Sequence, residues 1–367
     1  MATAPTIDID SLLAPISAAT PAGSNLRADS SPTSIYYKLK DARSGARAAE
    51  RRADSEGALP GMLPEWQVIL TLAPKALTET SKDLEVVAWF IEGLVRAYGF
   101  AGLRDGLKLA QGLVEQYWDS FYSLEDEDGM ATRLAPLAGL NGHGNEGTLI
   151  QPLRKVAVTV SRGDGALAIY HYDQARALAA VADVDVKARR EAAGEVTMER
   201  FTAAANESGG VFYIELLADL DGAIEVLGLL GQGLGERAGR DAPSTSDIAR
   251  VLTTIRDTVA TFSADLVASA RAAAEQGAPG AAQGANGAGA AGAAGGSLRG
   301  REDALRTLLQ VAEYFRRNEP QSPISTSLDE IVRRAKMPFA ELLAELLPDT
   351  SAWRSALISA GIKPPPG

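Results

Sequence analysis

A long run of small, uncharged residues interrupts this chain near its C-terminal end. From Gln276 to Ser297 the sequence has no charged and no large apolar side chain. Such a segment cannot bury enough surface to offset the entropy lost on ordering, so residues 276–298 are predicted to form a flexible linker. Glycine has no strict period of three here, which excludes a collagen helix. The chain is therefore expected to comprise a large body, residues 1–275, and a small tail, residues 299–367.

The size of the body predicts more than one folded unit. The chain has 367 residues, 46% of them hydrophobic, and single cores rarely grow beyond about 250–300 residues. We divide the body into an N-terminal domain, residues 1–175, and a middle helical region, residues 176–275. A tail of this length has a small core of its own and gains stability by oligomerising.

Charge and cysteine content exclude several kinds of function. The absence of cysteine excludes disulfides and thiolate chemistry. The net charge of −11 repels phosphate backbones and anionic membranes, so protein partners are expected and nucleic acid is not. The first residues lack the basic and apolar segments of a signal peptide, and no run of roughly 18 apolar residues occurs. We therefore expect a cytoplasmic protein without direct membrane insertion.

The spacing of apolar residues is mainly helical, which predicts an all-α, multi-domain fold with the flexible linker before a small helical C-terminal domain. Ser81 is the predicted N-cap of a helix that begins at Leu84, and Ser246 is the predicted N-cap of another. A short strand or extended segment is predicted at 149–160 because of its β-branched residues. The predicted helices are Ile35–Arg52, Leu84–Val95, Leu103–Phe121 after a break at Tyr98–Phe100, 172–205, 214–230, 246–275, 301–315, 327–335 and 338–347.

Few residues of this chain have the pattern of a catalytic or metal site. The two histidines, His143 and His171, belong to no metal-ligand pair, and we interpret them as a loop residue and a packed or surface residue. Gly142, Gly144 and Gly147 match a dinucleotide fingerprint, but Pro152 and the β-branched run after it argue against the helix that such a site requires. We therefore expect no enzymatic activity, cofactor or metal.

A stripe of basic side chains is more regular. Lys40, Arg43, Arg47 and Arg51 follow three- and four-residue spacing and therefore share one face of the predicted helix Ile35–Arg52. Two interpretations remain open at this point. The stripe is either a solvated helix face or a docking face for an acidic partner.

Two separated blocks of sequence resemble the ImpA/TssA family of type VI secretion components. The first block resembles the ImpA N-terminal region and covers about 110 residues, with an order and spacing of short motifs that make the match specific. Its motifs are Leu12–Ser17, Pro21–Arg27 with Asp29, Tyr37–Arg43, Glu65–Trp66, Ser81–Leu84, Val87–Trp89, Glu92–Leu94, Gly99–Leu103 and Tyr117–Asp119. Leu140–Asn141 and Pro152–Arg154 resemble the continuation of that domain.

The second block resembles the C-terminal region of the shorter class of this family. Its motifs are Ala312–Phe315, Glu319–Ile324, Arg333–Ala335 and Met337–Pro338. The resemblance implies that residues 1–175 are an ImpA N-terminal-like domain and that residues 299–367 assemble into a multimeric ring. Together with the apolar excess of the tail, it predicts an oligomer interface containing Phe315, Pro323, Ile324, Ile331, Met337, Phe339, Leu342 and Leu346.

The resemblance further implies a non-enzymatic assembly component of the secretion machine. Such a component forms a homo-oligomer at the cytoplasmic side and contacts baseplate, tube or sheath proteins. The body, on its tether, is expected to reach these partners. Two alternatives from other classes are a helical hydrolase and a stand-alone regulatory adaptor.

Overall fold

The chain divides into two compact units, Met1–Gly280 and Ala281–Gly367. The computed structural model describes residues 2–55, 61–122, 129–160, 165–276, 301–318, 321, 323–337, 341–342 and 345. The predicted linker, apart from Gln276, lies outside the described residues. The prediction of a predominantly helical protein is confirmed, since the described residues contain helices and isolated bridges but no strand.

The first unit, here called the body, is built from helices α1 to α11 and two 3₁₀ turns. Its buried apolar residues form one continuous core that extends from Leu12 to Val267. The helices are α1 (Ile9–Leu13), α2 (Ile35–Ser55), α3 (Pro64–Glu79), α4 (Leu84–Tyr117), α5 (Met130–Asn141), α6 (Ile150–Lys155), α7 (Ile169–Ala179), α8 (Val184–Ala192), α9 (Met198–Ala238), α10 (Ser246–Phe262) and α11 (Ala264–Gln276), with 3₁₀ turns at Leu26–Ala28 and Gly239–Asp241.

Helix α4 forms the centre of the body and contacts α1, α3, α5, α6 and α9. By length and composition it contains a window apolar enough to cross a membrane, but 78% of that window is buried inside the fold. Burial on all sides explains its apolar composition. The predicted break is confirmed at Gly99, where φ is +57°. A side chain there would meet Val156, because a Cβ would lie 2.9 Å from its Cγ1 atom.

A buried ion network joins α4 to α9 and to the N-terminal segment. Arg104 donates to Asp105 at 2.7 Å and also pairs with Asp219 of α9, and all three residues are at most 4% exposed. Thr3 and Thr6 add hydrogen bonds to these carboxylates, at 3.1 Å to Asp219 and 2.6 Å to Asp105. Charges buried this deeply are tolerated only when they are paired and hydrogen-bonded.

Two predicted helix caps are wrong. The N-cap of α4 is Asp83, not Ser81, because the backbone of Asp83 is extended and its carboxylate accepts from Glu85 N and Val86 N at 2.9 and 3.3 Å. Helix α10 begins at Ser246, so Ser246 is inside the helix. Its first free N–H groups, of Asp247 and Ile248, instead donate to the side chain of Asn141 at 2.9 and 3.0 Å.

The predicted extended segment at 149–160 is wrong in its first half. Residues Ile150–Lys155 form a short helix. Pro152 is compatible with this helix because it lies in the first turn, where backbone N–H groups have no partner within the helix. The second half is extended as predicted: Ala157 bridges Ala168, and Val158 N donates to Leu167 O at 2.7 Å.

Two longer predicted helices are divided in the structure. The predicted helix 172–205 is interrupted because Asp183 and Thr197 are extended residues whose side chains cap α8 and α9. The predicted helix 246–275 is interrupted at Ser263, which separates α10 from α11 and is fully buried. Asp183 and Thr197 accept from backbone N–H groups, and Ser263 Oγ donates to Val259 O at 2.7 Å; such local side-chain bonds to the backbone favour helix boundaries.

The second unit, here called the tail, contains α12 (Arg301–Asn318) and α13 (Ile324–Lys336), which contact each other. In its described residues the buried apolar side chains are Leu305, Ala312 and Val332. The predicted tail helices at 301–315 and 327–335 lie within α12 and α13. The third, at 338–347, lies mostly outside the described residues.

Candidate functional site

The basic stripe of α2 does not lie on the helix face that points farthest into solvent. Tyr36, Leu39 and Ala46 are the buried residues of this helix, and the stripe borders that buried face. Lys40 and Arg51 are exposed, whereas Arg43 and Arg47 are half-buried. The four cations therefore have different surroundings, which the sequence spacing alone does not indicate.

Arg43 is held by a buried carboxylate of α4. Its guanidinium pairs with Glu92 through two hydrogen bonds, one of them from Nη2 at 3.2 Å, and the side chain of Glu92 is fully buried. The guanidinium also lies 5.8 Å from the ring centre of Trp89. Because a buried carboxylate needs its cation, Arg43 stabilises the packing of α2 on α4. Docking by Arg43 remains a prediction.

Arg47 and Arg51 line a cleft of the body that has a volume of about 980 Å³. Among the residues that the structure describes, neither arginine makes a hydrogen bond or an ion pair. Burial lowers the pKa of Arg47; Glu92 opposes this shift, and the positive charges of Arg43, Arg51 and Arg96 add to it. The cleft therefore contains two guanidiniums that form no ion pair with a described carboxylate.

A second network of α2, α3 and α4 forms part of the cleft wall. Arg96 donates to both oxygens of Glu50, at 2.7 and 2.8 Å, and Trp66 Nε1 donates to Glu50 at 2.8 Å. The guanidinium of Arg96 lies 4.1 Å from the ring centre of Trp66, a cation–π distance. Burial alone would raise the pKa of Glu50. Hydrogen bonds from Arg96 and Trp66 and the charge of Arg96 outweigh burial, so the pKa of Glu50 lies below its ordinary value. Glu50 is therefore already engaged, unlike the two free arginines.

The cleft also contains other charges and an apolar surface. Lys155 of α6 pairs with Asp54 of α2. Glu146 and Glu215 line the cleft and are exposed. Met62 and Tyr98 line it as well, with 43% and 51% of their surface exposed. The cleft can therefore bind a group that carries both negative charge and apolar surface.

The Ser81–Leu84 motif has a structural role that sequence analysis missed. Lys82 is fully buried and donates to the carbonyl oxygens of Leu12 and Leu77 at 2.7 and 2.6 Å, and burial lowers its pKa to about 8. Asp83 accepts from Arg27 at 2.6 Å. These contacts tie the N-terminal segment to the corner between α3 and α4.

Gly23 completes this corner. It bridges Ser81 with a φ of +77°, and a Cβ there would lie 2.0 Å from the carbonyl oxygen of Thr80. Only glycine tolerates both this conformation and this close backbone approach. The motifs Pro21–Arg27 and Ser81–Leu84, distant in sequence, thus belong to one structural feature.

The other sequence candidates are dispersed. His143 is exposed in the loop after α5, and His171 Nδ1 accepts from Ala168 N at 2.9 Å at the start of α7. Burial lowers the pKa of His171, and Arg200 adds to the effect. Within the described ranges, no cluster of three or more His, Cys, Asp or Glu side chains is placed to hold a metal ion.

The predicted interface residues of the tail are only partly buried. Pro323, Ile324 and Ile331 are exposed, and Phe315, Met337 and Leu342 are half-buried. Phe339 and Leu346 lie outside the described residues. An oligomer interface formed by this set remains a prediction.

Comparison with known proteins identifies the body first. Residues 13–142 match the family model described as ImpA, N-terminal, type VI secretion system. A solved structure from Burkholderia cenocepacia is similar to the body. It is the N-terminal domain, including the conserved ImpA_N region, of the TssA component of the type VI secretion system. The TM-score is 0.59 at 27% identity, and the match covers 71% of this chain and 94% of that one.

The similarity extends over nearly the whole chain in one relative. Over 364 residues the chain is 28% identical to the type VI secretion system component TssA1 of Pseudomonas aeruginosa. The aligned region covers 94% of this chain and 96% of that protein. The family resemblance carried by the motifs between Leu12 and Asp119 is thereby confirmed. Residues 13–142 therefore carry an ImpA N-terminal domain, and the chain is similar over nearly its whole length to a TssA component of a type VI secretion system.

Proposed function

We propose that this chain is a non-enzymatic assembly scaffold of the shorter TssA class. It oligomerises into a ring through its tail and contacts baseplate, tube or sheath proteins at the cytoplasmic side of the apparatus. The observation that carries the proposal is the near end-to-end similarity to TssA1, which includes the body, the linker region and the tail.

The exposed apolar surface of the tail supports oligomerisation there. Tyr314 and Ile331 are 60% and 52% exposed, and Leu309, Val311 and Ile324 are 38–40% exposed. Exposed apolar side chains on two short helices of one small unit can contribute to a protein interface when they form a patch. A ring requires a head-to-tail interface whose rotation closes, and two amphipathic helices offer two different faces for such a contact.

The basic stripe supports a docking role for the body. The chain is net acidic, yet Arg47 and Arg51 carry unpaired positive charge into one cleft. When many bodies are attached to one ring, the local concentration of docking sites rises, and individually weak contacts can hold an assembly. A scaffold of this kind needs no catalytic group.

Light scattering on the purified full chain tests oligomerisation. Ile331→Asp introduces a charge into an exposed apolar face and should reduce the mass to that of a smaller species. Ser327→Asp, at an exposed polar position of the same helix, is the matched control and should keep the wild-type mass. A monomeric wild-type chain, or an Ile331→Asp chain of unchanged mass, contradicts oligomerisation through this face.

Export of the tube protein from cells tests the function itself. Deletion of the gene should abolish export, the control variant should restore it, and Ile331→Asp should not. Undiminished export by the deletion strain would reject a role in the secretion machine.

A further inference from the structure

Arg47 and Arg51 are one helical turn apart on α2 and both line the same cleft, and neither has a hydrogen-bond or ion-pair partner among the described residues. Around them, the guanidiniums of Arg43 and Arg96 are already engaged with Glu92 and Glu50. The uncommitted charge on this part of the cleft is therefore positive. A half-buried guanidinium without a carboxylate loses hydration and gains nothing in return, so a carboxylate that enters the cleft finds an unsatisfied partner.

The remaining lining decides which kind of anion fits. Met62 and Tyr98 offer exposed apolar surface in the same cleft. Glu146 and Glu215, on the loop before α6 and on α9, add negative charge that repels a continuous polyanion such as a nucleic acid. A volume of about 980 Å³ is at the upper end of small-molecule sites, which span about 300–1,000 Å³. The cleft therefore suits a short peptide segment with one or two carboxylates.

We infer that this cleft binds an acidic segment of a partner protein, in which an Asp or Glu pairs with Arg47 and Arg51 and a neighbouring apolar side chain packs on Met62 and Tyr98. The inference rests on the proposed function and names the chemistry that its docking face recognises. The two arginines are well suited to this task, because a guanidinium binds a carboxylate through paired N–H donors. Glu146 before α6 and Glu215 on α9 then favour one orientation of the segment.

Short overlapping peptides from the tube, sheath and baseplate proteins of the same secretion system are the probes that test the inference. Their binding to the full chain is measured by fluorescence anisotropy. The peptides that bind should share an acidic residue next to an apolar one.

The double variant Arg47→Gln, Arg51→Gln should bind these peptides about tenfold or more weakly, as expected when a charge-assisted pair is lost. Because neither arginine has a hydrogen-bond or ion-pair partner among the described residues, this variant should remain folded. Arg52→Gln, an exposed neighbour outside the cleft, is the control and should bind like wild type.

The absence of cysteine allows an independent localisation of the bound peptide. Met62→Cys places a single thiol at the cleft, and Val184→Cys places one at a 77% exposed position outside it. A bound acidic peptide should slow alkylation of the first thiol and leave the second unchanged. Equal rates at Met62→Cys with and without peptide would place the binding site elsewhere and overturn the inference.

The remaining outcomes separate this inference from the function on which it rests. If no peptide binds, or if acidic peptides bind the double variant as tightly as wild type, the cleft inference is wrong. If the full chain still captures an intact machine component in that case, the proposed function stands. If neither peptides nor intact components bind, both fail. Displacement of the acidic peptides by a single-stranded oligonucleotide at equal charge concentration would indicate a general anion site and would also overturn the inference.

Discussion

The body and the tail bury their apolar residues to very different extents. The body has one core that extends from Leu12 to Val267 and includes fully buried large side chains such as Trp66, Phe90 and Tyr213. The described tail buries Leu305, Ala312 and Val332, while Tyr314 and Ile331 remain more than half exposed. The body is therefore stabilised by its own packing, whereas the described tail helices leave apolar side chains exposed.

The ion pairs of the two units differ in the same way. Arg104 and Asp219 in the body are each 5% exposed at the side chain, while Arg316 and Asp329 in the tail are 49% and 43% exposed. A buried pair is strongly coupled to stability because loss of one member leaves an uncompensated charge. An exposed pair is solvated with or without its partner. Substitutions in these networks test whether the two units differ as their burial indicates.

The largest effect is expected from Asp219→Ala in the body. Loss of this carboxylate removes one of the two carboxylate partners of Arg104 and also the acceptor of Thr3. The free energy of unfolding should fall by about 3 kcal/mol, near the lower end for a broken buried pair. Urea unfolding of the full chain measures it. Glu225→Ala, at an exposed position of the same helix, should change it by less than about 0.5 kcal/mol. Equal effects of the two variants would mean that burial of the pair contributes little.

A smaller effect is expected at the basic stripe, where two neighbouring arginines should differ. Arg43→Ala leaves the buried carboxylate of Glu92 without its cation and should cost about 2 kcal/mol or more. Arg47→Ala breaks no hydrogen bond or ion pair with a described residue and should change stability by less than about 0.5 kcal/mol. Thermal unfolding of both variants distinguishes the two roles. A matching loss in both would show that Arg47 also stabilises the body.

Sequence reasoning located the features that depend on neighbouring residues. The helix that begins at Ile35 was found from its local composition, and the interruption at Gly99 from glycine between two aromatic residues. Asp83 was missed as the cap of α4 because Ser81 also fits the pattern. Asp83 is fixed as the cap by contacts that are distant in sequence: Arg27, 56 residues earlier, donates to Asp83, and Gly23 bridges Ser81.

The cleft could not be predicted from the sequence either, because it is formed by residues that are distant from one another along the chain. The spacing of Lys40, Arg43, Arg47 and Arg51 predicts a common helix face, but the partner of Arg43 is 49 residues away on α4. A lone carboxylate within the apolar run Val86–Val95 is the one local signal of that pair, since Glu is almost never buried alone. No local signal indicates that Met62 and Glu215 line the same space as Arg47.

A pH-dependent effect of intermediate size is expected at Lys82. Burial lowers the pKa of Lys82 to about 8, from an ordinary value of 10.5. Between these two pH values the unfolded chain binds a proton that the folded chain does not, so this group makes the body more stable as pH rises. The buried charge of Lys82 therefore lowers the free energy of unfolding most below pH 8. Relative to Lys82→Met, the wild type should gain stability with a slope of at most about 1.4 kcal/mol per pH unit. Parallel stability profiles of the two chains across this window would show that the lysine keeps its ordinary pKa.

The smallest effect is expected from Asp329→Ala in the tail. Asp329 joins α13 to α12 through Arg316, but both side chains are largely solvated, and Arg316 keeps a second partner in Glu313. The substitution should therefore leave the thermal transition of the full chain and its mass by light scattering unchanged within error.

Ile331→Asp, two residues further along α13, should change the mass, because it alters apolar surface that association would bury. If Asp329→Ala instead dissociated the oligomer while Ile331→Asp did not, polar contacts would hold the tail together. The two units would then differ in the kind of contact that stabilises them, and the exposed apolar face of α13 would need another partner.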